Sequence, residues 1–228
     1  MGDCSSIAER TRTTLARVRA AEVAAGRAPG SVRLIGASKT RTPAEVAEAH
    51  AAGLVELGEN YAQELLAKAP LLPAATWHFI GHLQRNKAKV VVDHASWLHT
   101  LDSERLADHV DRLCAERGSR LSVLIEVNVG GESTKAGLVP EGLLALAQHI
   151  VRSCGHLDLR GLMTIPPPRS EPRAWFSALA TLQGELAARL GAPLPDLSMG
   201  MTDDLEDAIA CGATLVRVGT GIFGPRTG

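Results

Sequence analysis

Aromatic side chains are scarce here, with three Trp, three Phe and one Tyr in 228 residues. An interior without many large rings must be filled by aliphatic side chains, and 45% apolar residues supply enough for layers of Val, Ile, Leu and Ala. Cys4, Cys114, Cys154 and Cys211 form no C-x-x-C pair and no framework spacing. That excludes a disulfide scaffold and suits reduced thiols in the cytoplasm. An excess of one charge is also missing: a formal net charge of −1, with 21% charged residues, leaves no broad face for nucleic acid. No run approaches the roughly 20 apolar residues of a membrane span, and no secretory signal opens the chain. Linkers and low-complexity stretches are absent, so residues 1–228 read as one domain, able to bury about 70–75% of its unfolded surface without staples.

What is present is alternation. Strand-like runs fall at Val32–Ser38, Leu54–Glu59, Trp77–Gly81, Ser96–Thr100, Leu121–Val129, Leu157–Thr164, Asp196–Met199 and Thr214–Gly219. Helical patterns fill the intervals: Pro43–Ala52, Asn60–Ala69, Gln84–Val92, Ser103–Arg117, Pro140–Ser153, Glu171–Leu190 and Asp203–Cys211. Another helix, Ile7 to Ala25, precedes them behind a Ser6/Glu9 capping box. The opening Met1-Gly2-Asp3-Cys4-Ser5-Ser6 also fits a loose myristoylation pattern, but the cap is the better reading. Thr42 and Pro43 start one helix, and Gly118, Gly155, Gly191 and Gly212 close others. Every strand but the last has a helix after it. Strands apolar on both faces, alternating with helices, imply a parallel sheet. Eight such units in about 200 residues predict a closed (β/α)8 barrel of the TIM type with an extra N-terminal helix. An open doubly wound sheet is the alternative. The Pro166-Pro167-Pro168 run reads as a loop after strand six rather than a boundary.

In such a barrel the carboxyl ends of the strands carry the site. Lys39 closes the first apolar run there. It is either the first solvated residue after a strand or an amine whose burial lowers its pKa enough to form an imine with a carbonyl. After strands seven and eight come Leu197-Ser198-Met199-Gly200-Met201-Thr202-Asp203 and Arg217-Val218-Gly219-Thr220-Gly221-Ile222-Phe223-Gly224. Their glycines and hydroxyls either make turns only or let backbone N–H groups approach an anion. Gly219-x-Gly221-x-x-Gly224 spells a dinucleotide fingerprint, yet no βαβ unit follows it. Arg217 interrupts an apolar strand and needs a partner. That partner is either a carboxylate such as Glu56 or Glu126, or a ligand acceptor such as a pyridine nitrogen.

Weaker candidates read as structural. His78 and His82 straddle a strand end and suit core or loop positions better than a metal pair. Gln84-Arg85-Asn86-Lys87-Ala88-Lys89 reads as a solvated helix start. Asp203, Asp204, Glu206 and Asp207 crowd the first turns of a helix, which its dipole favours. Tyr61 is a candidate acid or base, although a packed phenol is commoner.

Together these residues resemble the pyridoxal phosphate homeostasis proteins almost end to end. The shared blocks are Ala37-Ser38-Lys39-Thr40, Gly58-Glu59-Asn60-Tyr61, Trp77-His78-Phe79-Ile80-Gly81-His82-Leu83-Gln84, Asn86-Lys87, Arg160-Gly161-Leu162-Met163, Leu197 to Asp204 and Val216 to Gly224. The resemblance implies a barrel like the N-terminal domain of alanine racemase, with pyridoxal 5′-phosphate (PLP) carried on Lys39 as a Schiff base. It also implies that Ser198, Gly200, Gly219 and Thr220 hold the phosphate, that Arg217 faces the pyridine nitrogen and that Asn60 lies beside the ring. A guanidinium stays protonated and leaves that nitrogen without a proton, which suits little or no carbanion chemistry. The sequence also stops before the second domain that supplies alanine racemases with a catalytic tyrosine.

The function this implies is binding and release of PLP in the cytoplasm by a monomer, with delivery to apo PLP-dependent enzymes and without catalysis, nucleic acid, metal or membrane. Three readings compete: a racemase-like PLP enzyme using Lys39 and Tyr61, a Schiff-base aldolase gripping a sugar phosphate, and an interaction module without a ligand.

Overall fold

The computed structural model describes residues 5–132, 136–167 and 170–225. The myristoylation pattern therefore lies largely outside the described residues, as does Pro168 of the proline run. Eight parallel strands close on themselves: β1 (Arg33–Ala37), β2 (Glu56–Glu59), β3 (Thr76–Phe79), β4 (Trp97–Leu101), β5 (Leu121–Glu126), β6 (Leu157–Met163), β7 (Asp196–Ser198) and β8 (Leu215–Val218). β1 pairs with β2 on one side and β8 on the other, Ile35 opposite both Glu56 and Arg217. That pairing removes the open-sheet alternative.

The helices are α1 (Ile7–Ala24), α2 (Pro43–Ala51), α3 (Ala62–Lys68), α4 (Ala88–His94), α5 (Glu104–Arg117), α6 (Leu143–Ser153), α7 (Pro172–Leu190), α8 (Leu205–Ala210) and α9 (Thr220–Phe223). The Ser6/Glu9 capping box forms, with Ser6 accepting from the Glu9 amide at 3.1 Å, and Thr42 makes a second one by accepting from the Glu45 amide at 3.2 Å. The Gln84 segment enters as a 3-10 turn before α4. One expectation fails. β8 is followed by a helix after all, the single turn α9, because the Gly219 carbonyl accepts from both Ile222 and Phe223.

Period-two alternation sorts each strand into two environments. Leu34, Leu57, Leu98, Ile125, Leu197 and Val216 point outward and merge with the helices into one large aliphatic core. Ile35, Trp97, Leu124, Met163 and Leu215 point inward as a separate cluster. Arg33 and Arg160 converge on Asp196 at 3.1 and 3.0 Å, and Arg33 lies 4.5 Å over the Trp97 ring. These groups plug the amino-terminal end of the bore. α1 lies outside the barrel against α2, α8 and α9. Arg10 donates to the Ile222 carbonyl at 2.9 Å and Arg17 to the Thr202 carbonyl at 3.0 Å, so α1 braces the loops after β7 and β8.

Candidate functional site

The inward row of β1 runs Arg33, Ile35, Ala37, Lys39, and its last two members line a cavity of about 250 Å³ at the carboxyl ends of the strands. Ligand pockets span roughly 300–1,000 Å³, so this one suits a single ring with a small substituent. Asn60, Ile80, Ile165 and Arg217 reach it from other strand ends; Met201, Thr202, Asp203, Gly219 and Thr220 reach it from the loops after β7 and β8.

The backbone on either side of Lys39 is tied to one ion cluster. Lys68 on α3 donates to the Ser38 carbonyl at 2.8 Å, to Glu59 at 2.7 Å and to Glu64 at 2.6 Å. The Ser38 hydroxyl donates to Glu59 at 2.6 Å, and the Thr40 amide donates to Glu64 at 2.8 Å. Burial pushes the Glu59 carboxyl up, partly offset by Lys68 and Ser38. Thr40 sits at φ 65°, the one positive-φ residue other than glycine among the described residues. A β-branched residue resists that region, so its presence beside Lys39 marks a backbone held by its surroundings.

Arg217 is 5% exposed and makes no ion pair among the described residues. Its Nη1 donates to Ser198 Oγ at 2.5 Å and its Nη2 to the Thr164 carbonyl at 2.9 Å. Burial lowers its pKa to about 10, with Glu126 and Asp204 opposing, so it stays charged at neutral pH. Glu56 does not partner it. Glu56 instead accepts from His78 Nε2 at 2.6 Å. A column of polar groups fills the bore between them: His78 Nδ1 lies 2.9 Å from His99 Nε2, and His99 Nδ1 lies 2.8 Å from Ser198 Oγ. Burial lowers the pKa of His78, and it holds that of His99 well below the imidazole range with help from His78 and Arg217.

Five of the seven sequence-predicted residues therefore share one cavity: Lys39, Asn60, Arg217, Gly219 and Thr220. Ser198 and Gly200 do not line it. The Ser198 hydroxyl is buried beneath Arg217, between that guanidinium and His99. Gly200, at φ 91°, serves close packing, since a Cβ there would lie 2.5 Å from that of Ala208 on α8. Thr202 was missed. Its hydroxyl lies 3.1 Å from that of Thr220, bridging the two loops. The available signal was a hydroxyl in each glycine-flanked loop.

Tyr61 is neither packed nor at this cavity: it is 54% exposed and lines a separate cavity of about 300 Å³ with His82, Gln84 and Lys87. His78 is a core histidine, as expected. Glu206 pairs with Arg17 at 2.7 Å and Asp204 accepts from the Met201 amide at 2.6 Å, so those members of the acidic run act structurally. Asp108, His149 and Cys154 also gather on the outer helices, where burial and nearby carboxylates push the Cys154 thiol up to about 11.

Residues 19–227 match the family model described as alanine racemase, N-terminal domain. A curated relative from Pseudomonas aeruginosa, named pyridoxal phosphate homeostasis protein, is 46% identical over 224 residues, covering 97% of this chain and 96% of that one. PipY of Synechococcus elongatus PCC7942, solved with PLP bound, superposes with a TM-score of 0.83 at 37% identity over 96% of this chain and all of that one. An alanine racemase from Clostridium difficile 630 shares the fold alone, with a TM-score of 0.75 at 13% identity over 96% of this chain and 57% of its own. The chain belongs to the family of pyridoxal phosphate homeostasis proteins.

Proposed function

We propose that this chain binds PLP as a Schiff base on Lys39 and holds it for release to PLP-dependent enzymes, as a buffer rather than a catalyst. The observation that carries the reading is the meeting of Lys39, charged Arg217 and the Thr202/Thr220 hydroxyl pair on one small cavity. PLP supplies an aldehyde for the amine and an electron-withdrawing ring.

The residues present fit that group. Thr202, Gly219 and Thr220 hold the phosphate, a role for which small residues and hydroxyls are suited. Arg217 has two of its five donors engaged inside the barrel and offers another to the pyridine nitrogen. Because a guanidinium donates and does not accept, it leaves that nitrogen without its own proton and the ring a weak electron sink. Asn60 Oδ1 is buried without a hydrogen-bond partner and is available beside the ring. Ser198 acts one step back, as the acceptor that fixes Arg217.

Purified protein mixed with PLP acquires a visible band that borohydride abolishes, with the label on Lys39 by peptide mapping. A label on another lysine overturns the proposal. Lys39→Ala retains weaker, phosphate-dependent binding; complete loss would refute the division between amine and phosphate cradle. Failure of loaded protein to restore an apo PLP enzyme would refute the delivery role.

A further inference from the structure

The bore of a TIM-type barrel is ordinarily packed with branched aliphatic layers. Here a continuous polar column crosses it from Glu56, the first residue of β2, to Arg217 under the cavity. Donor accounting fixes its direction. A carboxylate only accepts, so His78 Nε2 carries the proton that meets Glu56. A neutral imidazole has one donor and one acceptor, so His78 Nδ1 accepts from His99 Nε2–H. His99 Nδ1 then accepts the hydroxyl proton of Ser198, whose lone pair receives Arg217. All four bonds, at 2.6, 2.9, 2.8 and 2.5 Å, are satisfied with both rings neutral.

We propose that Glu56, His78, His99 and Ser198 form a one-way hydrogen-bond relay that holds and polarises Arg217 against the ring nitrogen of the cofactor. Glu56 thereby becomes a positioning residue for a site at the opposite end of the barrel. The idea rests on the cavity being the PLP site. Chained hydrogen bonds polarise one another, so an anion at the far end makes Ser198 a better acceptor and draws Arg217 toward it. The other charged groups felt by the rings are Arg33 and Asp196 at His78, and Arg33 and Arg217 at His99.

Two measurements test the relay. In ligand-free protein at neutral pH, nitrogen-15 histidine spectra show His78 and His99 as neutral Nε2–H tautomers; a charged ring, or an Nδ1–H form of either, overturns the direction. In PLP-loaded protein, Glu56→Gln removes the anion, leaves more of the Arg217 charge facing the ring and moves the pH midpoint of the visible band lower. Glu56→Asp returns the midpoint toward wild type. Ser198→Ala cuts the relay at its other end and shifts the midpoint in the same direction, which keeps the test alive if Glu56→Gln does not fold. An unmoved midpoint in a folded Glu56→Gln or Ser198→Ala protein overturns the link to Arg217. If wild-type protein acquires no band with PLP, the cofactor reading fails, while the histidine spectra still decide the relay.

Discussion

The outer layer and the bore of this barrel are built from the same eight strands, one residue out of step. Leu57, Leu98, Ile125 and Val216 face outward into a continuous aliphatic layer with the helices. Their neighbours Glu56, His99, Glu126 and Arg217 belong to the other face, where the apolar cluster reduces to five residues around a polar column. The outer layer buries apolar area without directional demands, which is where cohesion comes from. The bore holds buried polar groups that tolerate few arrangements, so it contributes specificity of geometry at Arg217. The ion cluster of Lys68, Glu59 and Glu64 is the polar intrusion into the outer layer, and it sits behind Lys39.

Breaking that intrusion is expected to have the largest effect. Lys68→Met leaves Glu59, fully buried, without its cation, and urea unfolding is expected to register a loss of about 3–5 kcal/mol. Adding Glu59→Leu in the same chain should restore much of it; no recovery would mean that the cluster does more than neutralise itself. Next comes the contrast across the sheet. Ile125→Ala in the outer layer should cost about 2–5 kcal/mol through cavity formation. Ser198→Ala in the bore strands a guanidinium donor and a ring nitrogen, with an expected loss of about 1–3 kcal/mol. A larger loss at Ser198 than at Ile125 would reverse the comparison.

Acid sharpens it further. His78 and His99 take up protons less readily folded than unfolded, and an unfolded imidazole titrates near about 6.5. Below that pH the unfolded chain binds more protons, so each ring should remove up to about 1.4 kcal/mol of stability per unit as pH falls. Glu59 and Glu126, with carboxyls pushed up by burial, act in the opposite sense. Stability curves between pH 7 and 5 should therefore be compared with those of His99→Gln, whose slope is expected to be shallower. The smallest effect belongs to the periphery: Thr42→Ala, which removes the cap of α2, should cost about 1 kcal/mol in the same unfolding assay and leave the bore untouched.

Most of the barrel was legible because its signals are local. Thr42-Pro43 and Ser6/Glu9 announce helix starts, and apolar runs such as Leu121–Ile125 announce strands. Lys39 was legible as a strand-end residue because it closes the apolar run Val32–Ser38; its place on the inner face came only with the structure. Boundaries were less so: Asn60 fits a helical pattern, yet it turns into the cavity and α3 starts at Ala62. The polar column was invisible. His78 and His99 meet only because β3 and β4 pair with His78 opposite Trp97, a register that no local pattern encodes. Arg217 advertised a need for a partner, but its partners are a hydroxyl and a carbonyl from two other strands, Ser198 on β7 and Thr164 just beyond β6.

The brace between α1 and the loops after β7 and β8 also sets an order of events during synthesis. Arg10 and Ile222 are 212 positions apart, so this contact of the helix made early waits for nearly the whole barrel to be translated. Closure of a loop that long is entropically late. On the proposed reading, a nascent chain displays the Lys39 segment long before Thr202, Gly219 and Thr220 exist to grip a phosphate, so an aldehyde meeting a ribosome-bound fragment would find an amine and no anchor.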